Sequence, residues 1–142
     1  MLNVEVRSEA FPEGRLLDEW NDLLNDAEFA TPFQTEAWIR SWWNHFGKGQ
    51  RPHLILIRDG KDLVGAFPAY VSGGPWRALR AIGTGQSDYL HALARKGYSA
   101  RVRESLWEEA SALKGIDLID LHQWRDDCGP GPDECDRLEQ AV

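Results

Sequence analysis

Two short stretches hold the side chains best suited to chemistry. The first is Arg80-Ala81-Ile82-Gly83-Thr84-Gly85, an arginine followed by two closely spaced glycines. Glycine lets backbone approach a ligand closely, and successive N–H groups in a turn, backed by a helix N-terminus, cradle phosphate oxygens. Arg80, Gly83 and Gly85 are therefore candidate contacts for a phosphate-bearing cofactor. The polar Gln86-Ser87-Asp88 delays any helix, and the Asp88 carboxylate repels phosphate, so a plain Gly-x-Gly turn stays open as the other reading. The second stretch contains Asp88, Tyr89 and His91, the densest polar-aromatic cluster in the loop that follows. A base that takes a proton, a phenol that returns one to a leaving group and a carboxylate that holds an amine's charge are the parts of general acid–base catalysis. The competing reading has Asp88 capping a turn and Tyr89 packing a strand edge.

The remaining candidates are thinner. His45, His53 and His122 are isolated in sequence, and Cys128, Cys135 and His122 match no standard zinc spacing, so no metal is expected. Seven tryptophans stand out in 142 residues. Trp38, Trp42 and Phe46 share a helical stripe that reads as a core face rather than a sugar-stacking surface. Trp43 lies off that stripe and is the candidate for contact with a substrate or a partner.

These residues need elements to position them. Leu2, Val4 and Val6 alternate with polar residues as in a half-buried strand. Leu16, Trp20, Leu23, Leu24 and Ala27 form one face of a helix over 15–27. Thr35 is an N-cap for a second helix that ends near Phe46 at Gly47. Leu54-Ile55-Leu56-Ile57 reads as a strand buried on both faces, and Asp59-Gly60 turns it into a partner over 63–71. Pro68 in that partner lacks a ladder donor and should mark a bulge or an unpaired position. A third meander strand is expected over 76–82, a helix capped by Ser99, and a last strand over 116–121 that is apolar enough to be central. The step from that helix to the last strand has room for a crossover and implies parallel pairing. The order is β-α-α-β-β-β-α-β, a mixed α/β sheet with an antiparallel meander flanked by helices. Residues 1–124 read as one domain. Residues 125–142 read as an acidic Gly/Pro-containing tail, solvated and mobile.

Composition narrows the function classes. The formal net charge is −7, which argues against a nucleic-acid footprint and against an anionic membrane surface. The first residues have neither a basic n-region nor an apolar h-region, and no apolar run is long enough to span a bilayer. The expected compartment is the cytoplasm, with both cysteines as free thiols.

Phe33-Gln34-Thr35-Glu36-Ala37-Trp38 leading to Trp42-Trp43, then Asp59 to Pro68, then Ile82-Gly83-Thr84-Gly85 and Ser87-Asp88-Tyr89-Leu90, resembles the cellulose-biosynthesis (CelD-like) group of GNAT-type acyl-CoA acyltransferases. The resemblance covers residues 15 to 124, and the element order is similar to the first two-thirds of the GNAT fold. It implies an N-acyltransferase in which an amine attacks the thioester of acetyl-CoA or another acyl-CoA. It also casts Arg80-Ala81-Ile82-Gly83-Thr84-Gly85 as the pyrophosphate loop pattern. Members of that group resemble a tandem of two such halves, with the acyl-CoA site in the second. The expectation is thus an N-terminal half-domain that binds no cofactor by itself, is inactive alone, and partners the missing half or a second copy of itself. The alternative is a non-catalytic interaction or dimerisation module, using an open strand edge beside 116–121. A third option is carbohydrate binding through exposed tryptophans.

Overall fold

The computed structural model describes residues 2–121. The acidic tail, Cys128, Cys135 and His122 lie outside the described residues. The elements are β1 (Leu2–Arg7), α1 (Arg15–Asp26), a 3-10 turn (Pro32–Gln34), α2 (Glu36–Phe46), β2 (Arg51–Asp59), β3 (Asp62–Val71), β4 (Ala78–Ala81), β5 (Leu93–Ala94), α3 (Ser99–Ala112) and β6 (Leu118–Asp120). They build a mixed α/β domain on one sheet in the order β1-β2-β3-β4-β6, with β5 also pairing β3. All pairings are antiparallel except β4 with β6, which is parallel. The predicted crossover through α3 therefore closes as its length required.

The aliphatic run in β2 is what makes two layers. Leu54 and Leu56 point to one face, where they meet Leu16, Trp20 and Leu23 of α1 and Ile39 and Trp42 of α2. Ile55 and Ile57 point to the other, against Val102, Leu106 and Ala110 of α3. All four β2 residues are fully buried. A strand with helices on both faces needs apolar side chains at every position, which is why its pattern is continuous rather than alternating. Asp59 pairs with Asp62 across a two-residue turn, where Gly60 takes φ 61°. That backbone is the one a tight hairpin requires.

Pro68 sits at the edge of the β4 ladder. Its carbonyl accepts from the Ile82 N–H at 2.9 Å, one residue beyond the last β3–β4 pair, so its own nitrogen faces the same flank. The missing donor falls where β4 has ended and β5, paired at Gly65 and Ala66, has not joined. The bulge lies elsewhere, between Ile57 and Arg58.

Several expectations change in detail. The third meander strand is four residues, Ala78–Ala81, because Gly73-Gly74-Pro75 delays its start and leaves Trp76 69% exposed. The last strand is not central: among the described residues β6 ends the sheet and Leu118 is 41% exposed. Gly47 ends α2 with φ −81°, so left-handed freedom is not its role; a Cβ there would lie 2.4 Å from the Trp43 ring. Ser99 is the first residue of α3 rather than its cap, which is Tyr98. Val4 and Val6 are exposed at 37% and 40%, so β1 is a thinly covered edge.

Candidate functional site

The parallel pair gives the sheet a change of direction: β4 has an antiparallel neighbour on one side and a parallel one on the other. At the carboxyl end of β4 the chain enters the Gly83–Ser87 turn, beneath α2.

This turn is held from two directions. Trp38 Nε1 donates to Ser87 Oγ at 2.9 Å, and Trp42 Nε1 donates to Gln86 Oε1 at 2.8 Å. Both indoles belong to α2, where positions four apart share a face. Ser87 is 1% exposed. Gly83 takes φ 108°, and a Cβ there would lie 2.5 Å from Ser87 Oγ and 2.9 Å from Leu90. Glycine is needed at that position both for conformation and for space. Gly85 takes φ 92° with open space around it.

Three of this turn's amides look inward. Thr84 N–H donates to the Ala81 carbonyl, and Gln86 and Ser87 N–H both donate to the Gly83 carbonyl, at 3.1–3.2 Å. The next helix, α3, begins only at Ser99. A pyrophosphate needs amides that point outward and a helix N-terminus behind them. The residues present do not fit that group.

Arg80 lies on the α2 side of the sheet, opposite Tyr70 on β3 and Asp120 on β6. Its guanidinium pairs with Asp120 at 3.3 Å, and its Nε is buried without a hydrogen-bond partner among the described residues. Tyr70 is buried under Trp42 and Trp43, with ring centroids 5.3 and 6.3 Å away. Burial raises the Tyr70 phenol above its ordinary value; Arg80 opposes this and Asp120 adds to it. Arg80 is thus committed to a carboxylate rather than aimed at the glycine turn.

Asp88, Tyr89 and His91 follow the turn. Tyr89 is 44% exposed, with its ring 6.5 Å from both Phe33 and His91. Asp88 is exposed and His91 is buried. His91 Nε2 lies 2.7 Å from the Phe29 carbonyl; a carbonyl only accepts, so Nε2 holds the proton and donates. The His91 carbonyl accepts from Gln34 Nε2, and Thr31 N–H donates to Gln34 Oε1. These bonds pin the loop to the 3-10 turn. The structure brings Tyr89 and His91 together, beside a cavity lined by Phe33, Gln34, Pro68 and Ile82. At about 10 Å³ it has room for one water and no substrate.

A larger hollow opens on the other side of the turn. Trp38, Ser41, Trp42, His45, Phe46 and Gln86 line a groove of about 110 Å³. The Trp38–Trp42–Phe46 stripe is therefore not wholly core. Trp42 is buried, Trp38 half-buried and Phe46 49% exposed, and the core contacts of α2 rotate toward Ile39 and Trp43. Trp43 packs against the core and Tyr70, whereas among the described residues the exposed indole is Trp76. The isolated sequence position of His45 gave no sign of the groove; the signal was its four-residue spacing from Ser41.

Away from these ends, a charged hollow of about 500 Å³ is lined by Glu5, Arg7, Glu13, Arg15, Glu19 and Arg58 among others. Arg58 binds both Glu19 oxygens at 3.0 Å and Glu5 at 3.2 Å. Hydrogen bonds from Arg7 to Glu5 and from Arg58 to Glu19 hold these carboxyls below their ordinary values. This network ties β1, α1 and β2 together. No group of metal-ligating side chains occurs among the described residues, and no helix there is long and apolar enough to cross a membrane.

No family model matches the chain, and no curated protein matches it. Among solved structures it is similar to the ribosomal-protein-alanine N-acetyltransferase from Brucella melitensis biovar Abortus 2308, at 14% identity and a TM-score of 0.48, covering 100% of this chain and 91% of that one. A likeness at that level carries no functional argument. The class that the fold defines is a mixed α/β domain with a six-stranded, mostly antiparallel sheet.

Proposed function

We propose that this domain is a GNAT-like N-acyltransferase half of the cellulose-biosynthesis type, which forms the acceptor-side wall of an active site while a second GNAT-like half holds the acyl-CoA. The observation that carries this reading is the parallel β4–β6 pair joined to an antiparallel meander, with the Gly83–Ser87 turn at its carboxyl end. The motif order from Phe33 to Leu90 supports the family. The inward amides support placing the donor outside these residues, and no step is assigned here to the cofactor. On the acceptor side, Asp88 and Tyr89 are the exposed groups positioned to meet an amine, Asp88 through its charge and Tyr89 as a proton donor. His91 is a positioning residue, because its Nε2 proton is committed to Phe29.

Isothermal titration of the full chain with acetyl-CoA tests the donor assignment. The expected result is no binding in the micromolar range; a micromolar affinity overturns the half-domain reading.

A second reading rests on Trp76 and β6. An indole 69% exposed beside the last strand of the described sheet suits a protein-interaction or dimerisation module in the cytoplasm. Light scattering that shows a strict monomer at high concentration counts against it.

A further inference from the structure

We propose that the outer edge of β1 is an interface, which pairs antiparallel with the same edge of a second copy of this chain about a two-fold axis at Val6. This goes beyond the acyl-transfer reading and uses the opposite end of the sheet from Trp76 and β6. Among the described residues β1 pairs only with β2, in six consecutive pairs without a register shift. Alternate residues of such a strand turn their N–H and C=O groups away from the partner, and an edge of this kind pairs with another chain unless something blocks it. The usual guards are proline, lysine, a bulge or a very short strand. Leu2-Asn3-Val4-Glu5-Val6-Arg7 has none of them. Its two charges are already engaged within the chain: Arg7 Nε donates to Glu5 Oε1 at 2.6 Å, and Arg58 of β2 donates to Glu5 Oε2 at 3.2 Å.

Face and charge select the occupant. Leu2, Val4 and Val6 lie opposite Asp59, Ile57 and Ile55, on the face that α3 covers. Ile55 and Ile57 are fully buried there, but Val4 and Val6 are exposed, so α3 leaves this edge uncovered. A partner strand must bring apolar side chains to that face and polar ones to the face of Glu5 and Arg7. β1 itself has this pattern, and a two-fold axis perpendicular to the sheet keeps like faces together. Charge then fixes the register. An axis at Glu5 sets Glu5 against Glu5, and an axis at Arg7 sets Arg7 against Arg7; like charges directly opposite destabilise a pair. An axis at Val4 sets Glu5 opposite Asn3 and joins no opposite charges. An axis at Val6 sets Val6 on Val6 and each Glu5 opposite the Arg7 of the other copy, so two crossed ion pairs back an apolar contact. One strand per copy is a narrow interface, so the expected dissociation constant is about 10–100 μM.

The test is analytical ultracentrifugation of the full chain from about 10 μM to about 1 mM, at about 0.15 M salt so that net charge is screened beyond roughly 8 Å. The expected result is a monomer–dimer equilibrium that Val6→Lys weakens about 10-fold or more and Trp76→Ala leaves unchanged. The lysine stem still covers the ground under Val6, while its ammonium faces its own copy across the axis. A second measurement reads the register and does not depend on that variant. In a chain carrying Cys128→Ser and Cys135→Ser, Val6→Cys and Asn3→Cys are each treated with oxidised glutathione. Directly opposite Cα atoms lie about 4.5–5.5 Å apart, inside the disulfide range, whereas with the axis at Val6 the two copies of Asn3 lie about 20 Å apart. Val6→Cys is expected to give a covalent dimer, and Asn3→Cys is expected to stay monomeric. A strict monomer at the highest concentration, a fall in mass in Trp76→Ala without one in Val6→Lys, no cross-link in Val6→Cys, or equal cross-linking of Asn3→Cys overturns the proposal. No acyl donor enters these experiments, so their failure is separate from that of the acyl-transfer reading, which the acetyl-CoA titration decides.

Discussion

Gly83 and Gly85 look alike in sequence and differ in what they tolerate. Both have positive φ, which costs a side chain about 1–2 kcal/mol, but only Gly83 also has Ser87 and Leu90 where its Cβ would go. Gly83→Ala is expected to cost a further 1–3 kcal/mol or so beyond Gly85→Ala, read by urea denaturation of the two variants. Ser87→Ala leaves the Trp38 indole N–H without its acceptor and is expected to cost about 1 kcal/mol, with a change in Trp38 fluorescence. The titrations of single residues separate by pH. Burial lowers the His53 pKa from its ordinary 6.5, with Glu109 opposing. The unfolded chain then binds more protons as pH falls below about 6.5, so His53 removes stability on acidification through that window. Glu5 and Glu19 have lowered values, so their contribution is present above 4.5 and is lost as pH falls below it. Thermal melts from pH 8 to 3 should show both declines, and His53→Gln should remove only the first.

At the scale of elements, the packing of α3 on the sheet depends on one glycine. A Cβ on Gly65 of β3 would lie 2.6 and 2.7 Å from the two methyls of Val102. Gly65→Ala is therefore expected to cost about 1–3 kcal/mol by overpacking. Val102→Ala should offset part of that cost, with a coupling of at least about 0.5 kcal/mol in a double-mutant cycle, because the two groups compete for one space. Arg95 performs a similar join on the opposite layer. It pairs with Asp22 and Asp26 of α1 at 3.0 and 3.1 Å while donating to the Leu63 carbonyl of β3. The elements that surround the candidate site are thus fixed by contacts outside it, and the turn itself is fixed by two indole N–H groups from α2.

At the scale of the whole molecule, the described sheet has two different ends. β1 is paired to β2 over six residues and tied down by Arg58, whereas β6 is three residues long and lies beside the exposed Trp76 turn. Trp76→Ala is expected to leave stability within about 0.5 kcal/mol, since the indole buries little. A fall in scattering mass in that variant, at concentrations where the parent chain associates, identifies this end as the contact; an unchanged mass removes Trp76 from it.

The sequence by itself determined which segments are helices and strands, because those signals are local periodicities. The 3.6-residue spacing of Leu16, Trp20 and Leu23 and the unbroken Leu54–Ile57 run state what each face must bury. It also determined the Asp59-Gly60 hairpin and the parallel return of the last strand, through turn chemistry and crossover length. It did not show β5, two residues whose pairing with Gly65 and Ala66 depends on a partner far along the chain. Nor did it show that Arg80 is bound to Asp120, that Trp38 and Trp42 face the glycine turn, or that His91 turns its proton to Phe29. Those are pairings between residues some 40 to 60 positions apart, for which no local pattern exists. Only the closing of the sheet, and the side of α2 left uncovered by it, decided which hollows open beside the Gly83–Ser87 turn.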